Sequence, residues 1–276
     1  MNKKTFSLLL LFFILLIGAY FLFFLLPIFK DAKLLKTHYV ATVVKNDHVD
    51  YKLVTKKPFN WISPKQNPLA TKAIMISEDW AFYNHEGVDL NQIKETVMGN
   101  IRQKKRIRGA STITQQLVKN LFLSKEKTLT RKFNEIIIAL YLESVVSKQK
   151  ILETYLNVIE YGKNLYGINK AAYFYFQKSF SELNPKEAAF LAMLLPNPKK
   201  YSSSYFRKEL TPYAKKIIKN ILTKLTTVRA IDQDQRDFYL LQEFDWEITQ
   251  PAINPSEQVV EEELTAEERA FLDQLD

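Results

Sequence analysis

The chain opens on an unbroken apolar run. Between Lys4 and Lys30 stand 25 uncharged residues, TFSLLLLFFILLIGAYFLFFLLPIF. At about 1.5 Å per residue, a helix of that length exceeds the roughly 30 Å hydrocarbon core of a bilayer. The run is longer than the apolar part of a cleavable leader, and no convincing small-residue cleavage site follows it. Residues 5–29 therefore read as an uncleaved transmembrane signal anchor. Lys3 and Lys4 favour a cytoplasmic N-terminus, but Lys30, Lys33 and Lys36 flank the other side, so charge suggests the topology without settling it. Residues 30–60 read as a tether. They hold two β-type runs, Tyr39 to Val44 and Tyr51 to Thr55, and Pro58, Pro64 and Pro68 then interrupt regular structure.

From Leu69 to about Leu241 the spacing of apolar positions becomes helical. It predicts helices over 69–79, 90–103, 112–123, 128–146, 148–158, 166–177, 185–195 and 212–228, separated by Gly, Asn, Ser or Pro. Residues 61–245 are thus expected to form one mainly α domain. The last stretch, 250–276, reads as an acidic tail, disordered or with a short helix near 264–275.

Charge changes this picture in one respect. The chain carries 39 basic and 30 acidic residues, a net +9. From Gln250 onward eight residues are acidic and one is Arg, so the rest holds about +16, from 38 basic against 22 acidic residues. Such a surface suits an anionic partner: lipid headgroups, a pyrophosphate or nucleic acid. The absence of Cys excludes disulfides and thiolate metal sites.

Three stretches carry candidate chemistry. In RGASTITQQLVKN (108–120), Thr112, Gln115, Gln116 and Lys119 fall at i, i+3, i+4 and i+7 and share a helical face, while Ile113, Leu117 and Leu121 take the opposite one. Thr112 and Gln115 fit a capping box, so a helix N-terminus with a Lys two turns along offers an anion site. A well-capped amphipathic surface helix would show the same pattern. In SEDWAFYNHEGVDL (77–90), Glu78 follows an apolar helical run. Walled by Trp80 and Phe82, a carboxylate there would have a raised pKa and could act as a general base; a solvated helix end is the plainer alternative. His85 is a possible ligand or base, although no zinc-like spacing surrounds it. In TLTRKFNEIIIALYLE (128–143), Glu135 shares its helical face with Ile138, Ala139 and Leu142, with Arg131 one turn before it. An inward carboxylate beside an Arg is either functional or structurally paired. KQKILETYLNVIEYG (148–162) and ELNPKEAAFLAMLLPNP (182–198) read as core helices with clear stops.

Taken in order, these segments resemble the peptidoglycan glycosyltransferases, the family found alone as monofunctional transglycosylases and fused within class A penicillin-binding proteins. SEDWAFYNHEGVD, RGASTITQQLVKN, RKFNE, KQKILETYLN and EAAFLAMLLPNP resemble its five motifs, over about residues 60–200. The resemblance implies a lysozyme-like helical fold with a large lobe and a smaller membrane-proximal lobe. It implies polymerisation of lipid II and the growing glycan chain into β-1,4 strands, with inversion and release of undecaprenyl pyrophosphate. On that likeness Glu78 is the general base and Glu135 the second carboxylate. Lys119, Arg131 and Lys132 would bind the pyrophosphate. Ser111, Thr112, Gln115, Gln116 and Asn120 would line the groove, with Asp79, Phe82 and His85 also at the substrate site. The implied partners are the membrane, penicillin-binding transpeptidases and division or elongation proteins, and no nucleic acid. The implied place is the extracytoplasmic face of a bacterial inner membrane, on a single-pass anchor. No cofactor is required on this reading, although a divalent cation (Mg or Mn) helps some members. Ala110 stands where many members have Gly. Fewer than 80 residues follow Pro198, too few for a penicillin-binding domain, which favours the monofunctional type. A lysozyme-like lytic hydrolase and a non-catalytic wall scaffold are the competing readings.

Overall fold

A computed structural model describes residues 3–95, 111–124 and 126–248. Three expectations lie wholly or partly outside those residues: the predicted helix beyond 95, the Arg108–Ala110 part of the second motif, and the acidic tail 250–276. The described chain is mostly helical.

The apolar run forms α1 (Lys3–Tyr20), a π-helical turn (Phe21–Leu25) and α2 (Leu26–Leu34). Thr5–Leu34 is continuous, its most apolar 18-residue stretch has a mean hydropathy of 3.0, and it is long and apolar enough to cross a membrane. The last turns of α2 do not swing free. Ala32 and Leu35 are buried, and the Phe29 ring stacks on Tyr141 at 4.3 Å. Residues 39–54 then form a hairpin, β1 (Tyr39–Lys45) paired antiparallel with β2 (His48–Val54). Its turn places Asn46 and Asp47 in the left-handed region, which the short polar side chains of Asn and Asp tolerate better than most.

The helical core follows. α3 (Pro68–Glu78) starts where Asn67 caps Ala70 N and Pro68 sits at the first helical position. α4 begins at 90 and is described to 95. α5 (Ile113–Phe122) packs against both α6 (Leu129–Val145) and α7 (Lys148–Val158), with α2 against α6 and the hairpin against α7. A two-strand ribbon, β3 (Glu160–Gly162) and β4 (Leu165–Tyr166), leads to α8 (Ile168–Phe176). α9 (Pro185–Leu194) is buried along its whole length. Its sequence PKEAAFLAML is apolar nearly all round, as a central helix must be. α10 (Pro198–Tyr201), α11 (Ser203–Arg207), α12 (Pro212–Thr227), α13 (Gln233–Leu241) and α14 (Asp245–Ile248) complete the chain. α3, α9 and α12 pack mutually. Phe244 and Trp246 close the far side, stacked at 4.9 Å and set against Phe190.

Asn67 does more than cap α3. Its side-chain amide donates to the carbonyls of Phe180 and Leu183, at 3.0 and 2.9 Å, so it fixes where α3 begins relative to the α8–α9 connection. Asn67→Ala removes the cap and strips two carbonyls of their donor. We expect a loss of about 2–4 kcal/mol, read from the shift in thermal unfolding.

Candidate active site

Glu78 is the last residue of α3, and Asp79 is its C-cap. The Asp79 carboxylate is buried. It accepts from the backbone N–H of Ile113, the first residue of α5, at 2.9 Å, and from His85 Nε2 at 3.0 Å. An anion at a helix N-terminus meets unpaired N–H groups and the positive end of the macrodipole, so this contact is favourable. His85 Nδ1 accepts from Gly87 N at 3.2 Å, which leaves Nε2 as the protonated nitrogen that donates to Asp79. Gly87 O in turn accepts from Thr112 Oγ1 at 2.6 Å. Gly87 has φ +86°, and a Cβ there would stand 2.9 Å from Ala139 O. Only glycine lets the 82–89 loop press this closely on α6.

The clamp delivers Glu78 to α5. Gln116 Nε2 donates to Glu78 Oε2 at 2.9 Å. Glu78 keeps only partial solvent access, and burial pushes its pKa up to about 7. The Gln116 hydrogen bond and Lys119 oppose this, Asp79 adds to it, and Lys224 from α12 opposes it. The negative end of the α3 macrodipole acts in the same direction as burial. Trp80 is exposed, and Phe82 is buried with Lys148 Nζ 4.3 Å above its ring.

Glu135 sits on the buried face of α6. Arg131 Nη1 donates to one carboxylate oxygen at 2.7 Å and Lys132 Nζ to the other at 2.5 Å. Lys132 also donates to Ser111 Oγ at 3.0 Å, which ties α6 to the start of α5. Lys119 is exposed on the outer face of α5. Desolvation by the surrounding protein holds its ammonium pKa below the ordinary lysine value, with Glu135 opposing, Arg131 and Lys132 reinforcing, and Glu78 opposing. Arg131 and Lys132 thus grip one carboxylate while Lys119 bears on it electrostatically, a cationic surplus that a bound anion would relieve. Glu135 already has a cation on each oxygen, so its donor set does not fit a divalent metal ion. Among the described residues, no group of three or more His, Cys, Asp or Glu stands together as metal ligands.

The expected groove-lining residues divide. Gln116, Lys119, Asn120, Ser111, Arg131 and Lys132 retain some exposure. Thr112 and Gln115 are buried and spent on each other in the capping box, at 3.2 and 3.1 Å, so they hold the first turn of α5 rather than face solvent. Asp79, Phe82 and His85 lie beneath the surface as supports. Three polar residues escaped the sequence reading. Glu143 accepts from Thr114 Oγ1 at 2.5 Å and from Lys148 Nζ at 2.7 Å. A residue eight positions after Glu135 lies only about 80° around the helix from it, a usable signal for Glu143. Tyr155 Oη donates to Gln116 Oε1 at 2.9 Å, and Lys224 bears electrostatically on Glu78. Their partners are too distant in sequence for spacing to reveal.

Such a site can take up a proton at Glu78 while an anion is held at the cations of α5 and α6. Residues 50–225 match the family model described as Transglycosylase, well over half of the chain, and the chain belongs to that family. A biosynthetic peptidoglycan transglycosylase of Nitrosomonas eutropha is 42% identical over 158 residues, covering 57% of this chain and 63% of that protein. One from Alcanivorax borkumensis is 49% identical over 130 residues, 47% of this chain and 53% of that protein. Penicillin-binding protein 1A of Neisseria meningitidis serogroup A is 40% identical over 191 residues, 69% of this chain and 24% of that protein. The match therefore spans less than two thirds of the length of these relatives.

The raised Glu78 pKa has a consequence for stability. The native state holds the proton more tightly than the unfolded chain, so stability falls as pH rises from about 4.5 through about 7. Glu78→Gln keeps a neutral group there. At pH 8 we expect it to unfold later than the parent by about 1–3 kcal/mol, with the gap closing below about pH 4.5.

Proposed function

We propose that the protein polymerises lipid II into linear β-1,4 glycan strands of peptidoglycan by inverting glycosyl transfer. The observation that carries this reading is the pairing of one carboxylate whose pKa is lifted to about 7 with a separate cluster of three cations around Glu135. A base poised near neutral pH suits proton abstraction from a hydroxyl, and fixed cations suit a pyrophosphate leaving group.

In the proposed reaction, Glu78 takes the proton from the 4-hydroxyl of the acceptor sugar. That oxygen forms a bond to the anomeric carbon of the lipid-linked donor as the bond from that carbon to the pyrophosphate oxygen breaks. The electron pair leaves with the pyrophosphate, and Lys119, Arg131 and Lys132 stabilise the added charge. Glu135 holds Arg131 and Lys132 at the spacing the phosphates need. The domain would take the lysozyme-like, two-lobed form of such enzymes. The Thr5–Leu34 helix would cross the inner membrane once and hold the domain at its outer face, where lipid-linked donors enter from the bilayer and transpeptidases could use the product. Phe29 on Tyr141 would fix the anchor to α6, the helix that carries the donor-site cations.

The full-length protein in detergent or vesicles, given labelled lipid II, should yield long glycan chains. Shortening of preformed glycan without any polymer would overturn the reading. Glu78→Gln should lower the rate by about 10²–10⁴-fold, the usual worth of a general base. The rate of the parent should fall as pH drops through about 7, because protonated Glu78 cannot accept a proton. A rate flat from pH 5 to 8 would refute the assignment of Glu78 as base.

A further inference from the structure

We propose that Tyr155, in a helix whose sequence reads as core, is a positioning residue for Glu78: its hydroxyl fixes which end of the Gln116 side-chain amide faces the carboxylate. This rests on the reading of Glu78 as the base. Three groups stand in a row. Tyr155 Oη donates to Gln116 Oε1 at 2.9 Å, and Gln116 Nε2 donates to Glu78 Oε2 at 2.9 Å. Tyr155 is fully buried, and burial keeps its hydroxyl protonated by raising its pKa well above the ordinary tyrosine value.

The row has a direction. A side-chain amide has a donor end and an acceptor end, and an ionised carboxylate only accepts. With Glu78 ionised, Gln116 must present its NH₂ there and its carbonyl to Tyr155. If the amide turned over, its NH₂ would face the tyrosine oxygen. The Tyr155 O–H would then have no acceptor, since Gln116 Oε1 is its only bonded partner among the described residues. A buried donor without a partner is costly, so Tyr155 locks the amide in the orientation that supports the charged base. With Phe at 155 the lock is gone. The amide is free to offer its carbonyl to Glu78, and that end bonds only the protonated acid.

Other groups face Glu78 and stay in place. Asp79 is its chain neighbour, Lys119 acts from α5 and Lys224 from α12. Tyr161, from β3, is buried near Glu78 with no hydrogen-bond partner for its hydroxyl among the described residues. Tyr161 also bears electrostatically on Tyr155, but among the described residues the Gln116 amide hydrogen-bonds only Glu78 and Tyr155.

The test compares the parent protein, Tyr155→Phe, Gln116→Leu and the double variant, each checked for cooperative thermal unfolding. Two measurements are made: the pH dependence of the polymerisation rate with labelled lipid II, and the carboxyl titration of Glu78 by ¹³C NMR without substrate. Tyr155→Phe keeps the ring, so a purely structural tyrosine leaves both curves where they are. Positioning predicts that both move up by about one pH unit, with the rate at pH 7 falling several-fold. It also predicts that Gln116→Leu moves them the same way and that the double variant moves them no further, because Tyr155 acts through Gln116. Superimposed curves for Tyr155→Phe and the parent would overturn the proposal, as would additive shifts in the double variant. If the parent makes no glycan, the proposed reaction fails, and the Glu78 titration still decides the positioning role.

Discussion

One buried carboxylate organises this site. Asp79 ends α3, receives the first N–H of α5 and holds His85, so one side chain joins a helix C-terminus, a helix N-terminus and the loop between them. The neighbouring residues inherit their roles from it. Glu78, one position earlier, points toward the second turn of α5, where Gln116 meets it. Gly87, one turn of loop later, is drawn against α6 closely enough that a Cβ would collide with Ala139 O. The chemistry of adjacent residues thus diverges. The Asp79 carboxylate is satisfied by N–H donors, whereas Glu78, half-buried at the wrong end of a helix for a negative charge, is lifted toward neutral pH.

The cationic half of the site is held by a different device. α6 presents Arg131, Lys132 and Glu135 within four residues, and the acid binds both bases. On an exposed helix such pairs contribute little; at 3% exposure the Glu135 carboxylate has lost most of its water, and its two partners supply the hydrogen bonds that water would have made. Lys132 reaches Ser111 as well, so the two carboxylates stand on elements that are joined twice, through Asp79 to α5 and through Ser111 to α6. The anchor adds a third tie, since α2 packs on α6 through Phe29 and Tyr141. The orientation of the helix bearing the cations is therefore coupled to that of the apolar Thr5–Leu34 helix.

Much of this was legible in the amino-acid pattern, and the failures have physical causes. Caps and apolar spacing place α3, α5, α6, α7, α9 and α12 within a residue or two, because Asn67, Thr112, Thr128, Ser147, Asn184 and Thr211 each accept from the first turn they precede. The inward Glu135 was readable from the apolar face it shares. The wheel also set Thr112, Gln115, Gln116 and Lys119 on one polar face, yet the first two are buried. A helical wheel knows nothing of the 82–89 loop that covers that turn. Tyr155 read as core, and its ring is core; only the hydroxyl has polar work, with a partner 39 residues away. Lys224 lies beyond the stretch that carried the resemblance, and its relation to Glu78 exists only once α12 packs on α3.

The central claim is that one site separates proton removal, at Glu78, from anion binding, at the cations of α5 and α6. A crystal structure of the protein with a non-transferable lipid-linked pyrophosphate donor tests it most directly. The account predicts phosphate oxygens within hydrogen-bond distance of Lys119 and of Arg131 or Lys132, with Glu78 still bonded to Gln116 and open to the acceptor side. A pyrophosphate bound away from α5 and α6, or one displacing Gln116 from Glu78, would contradict it.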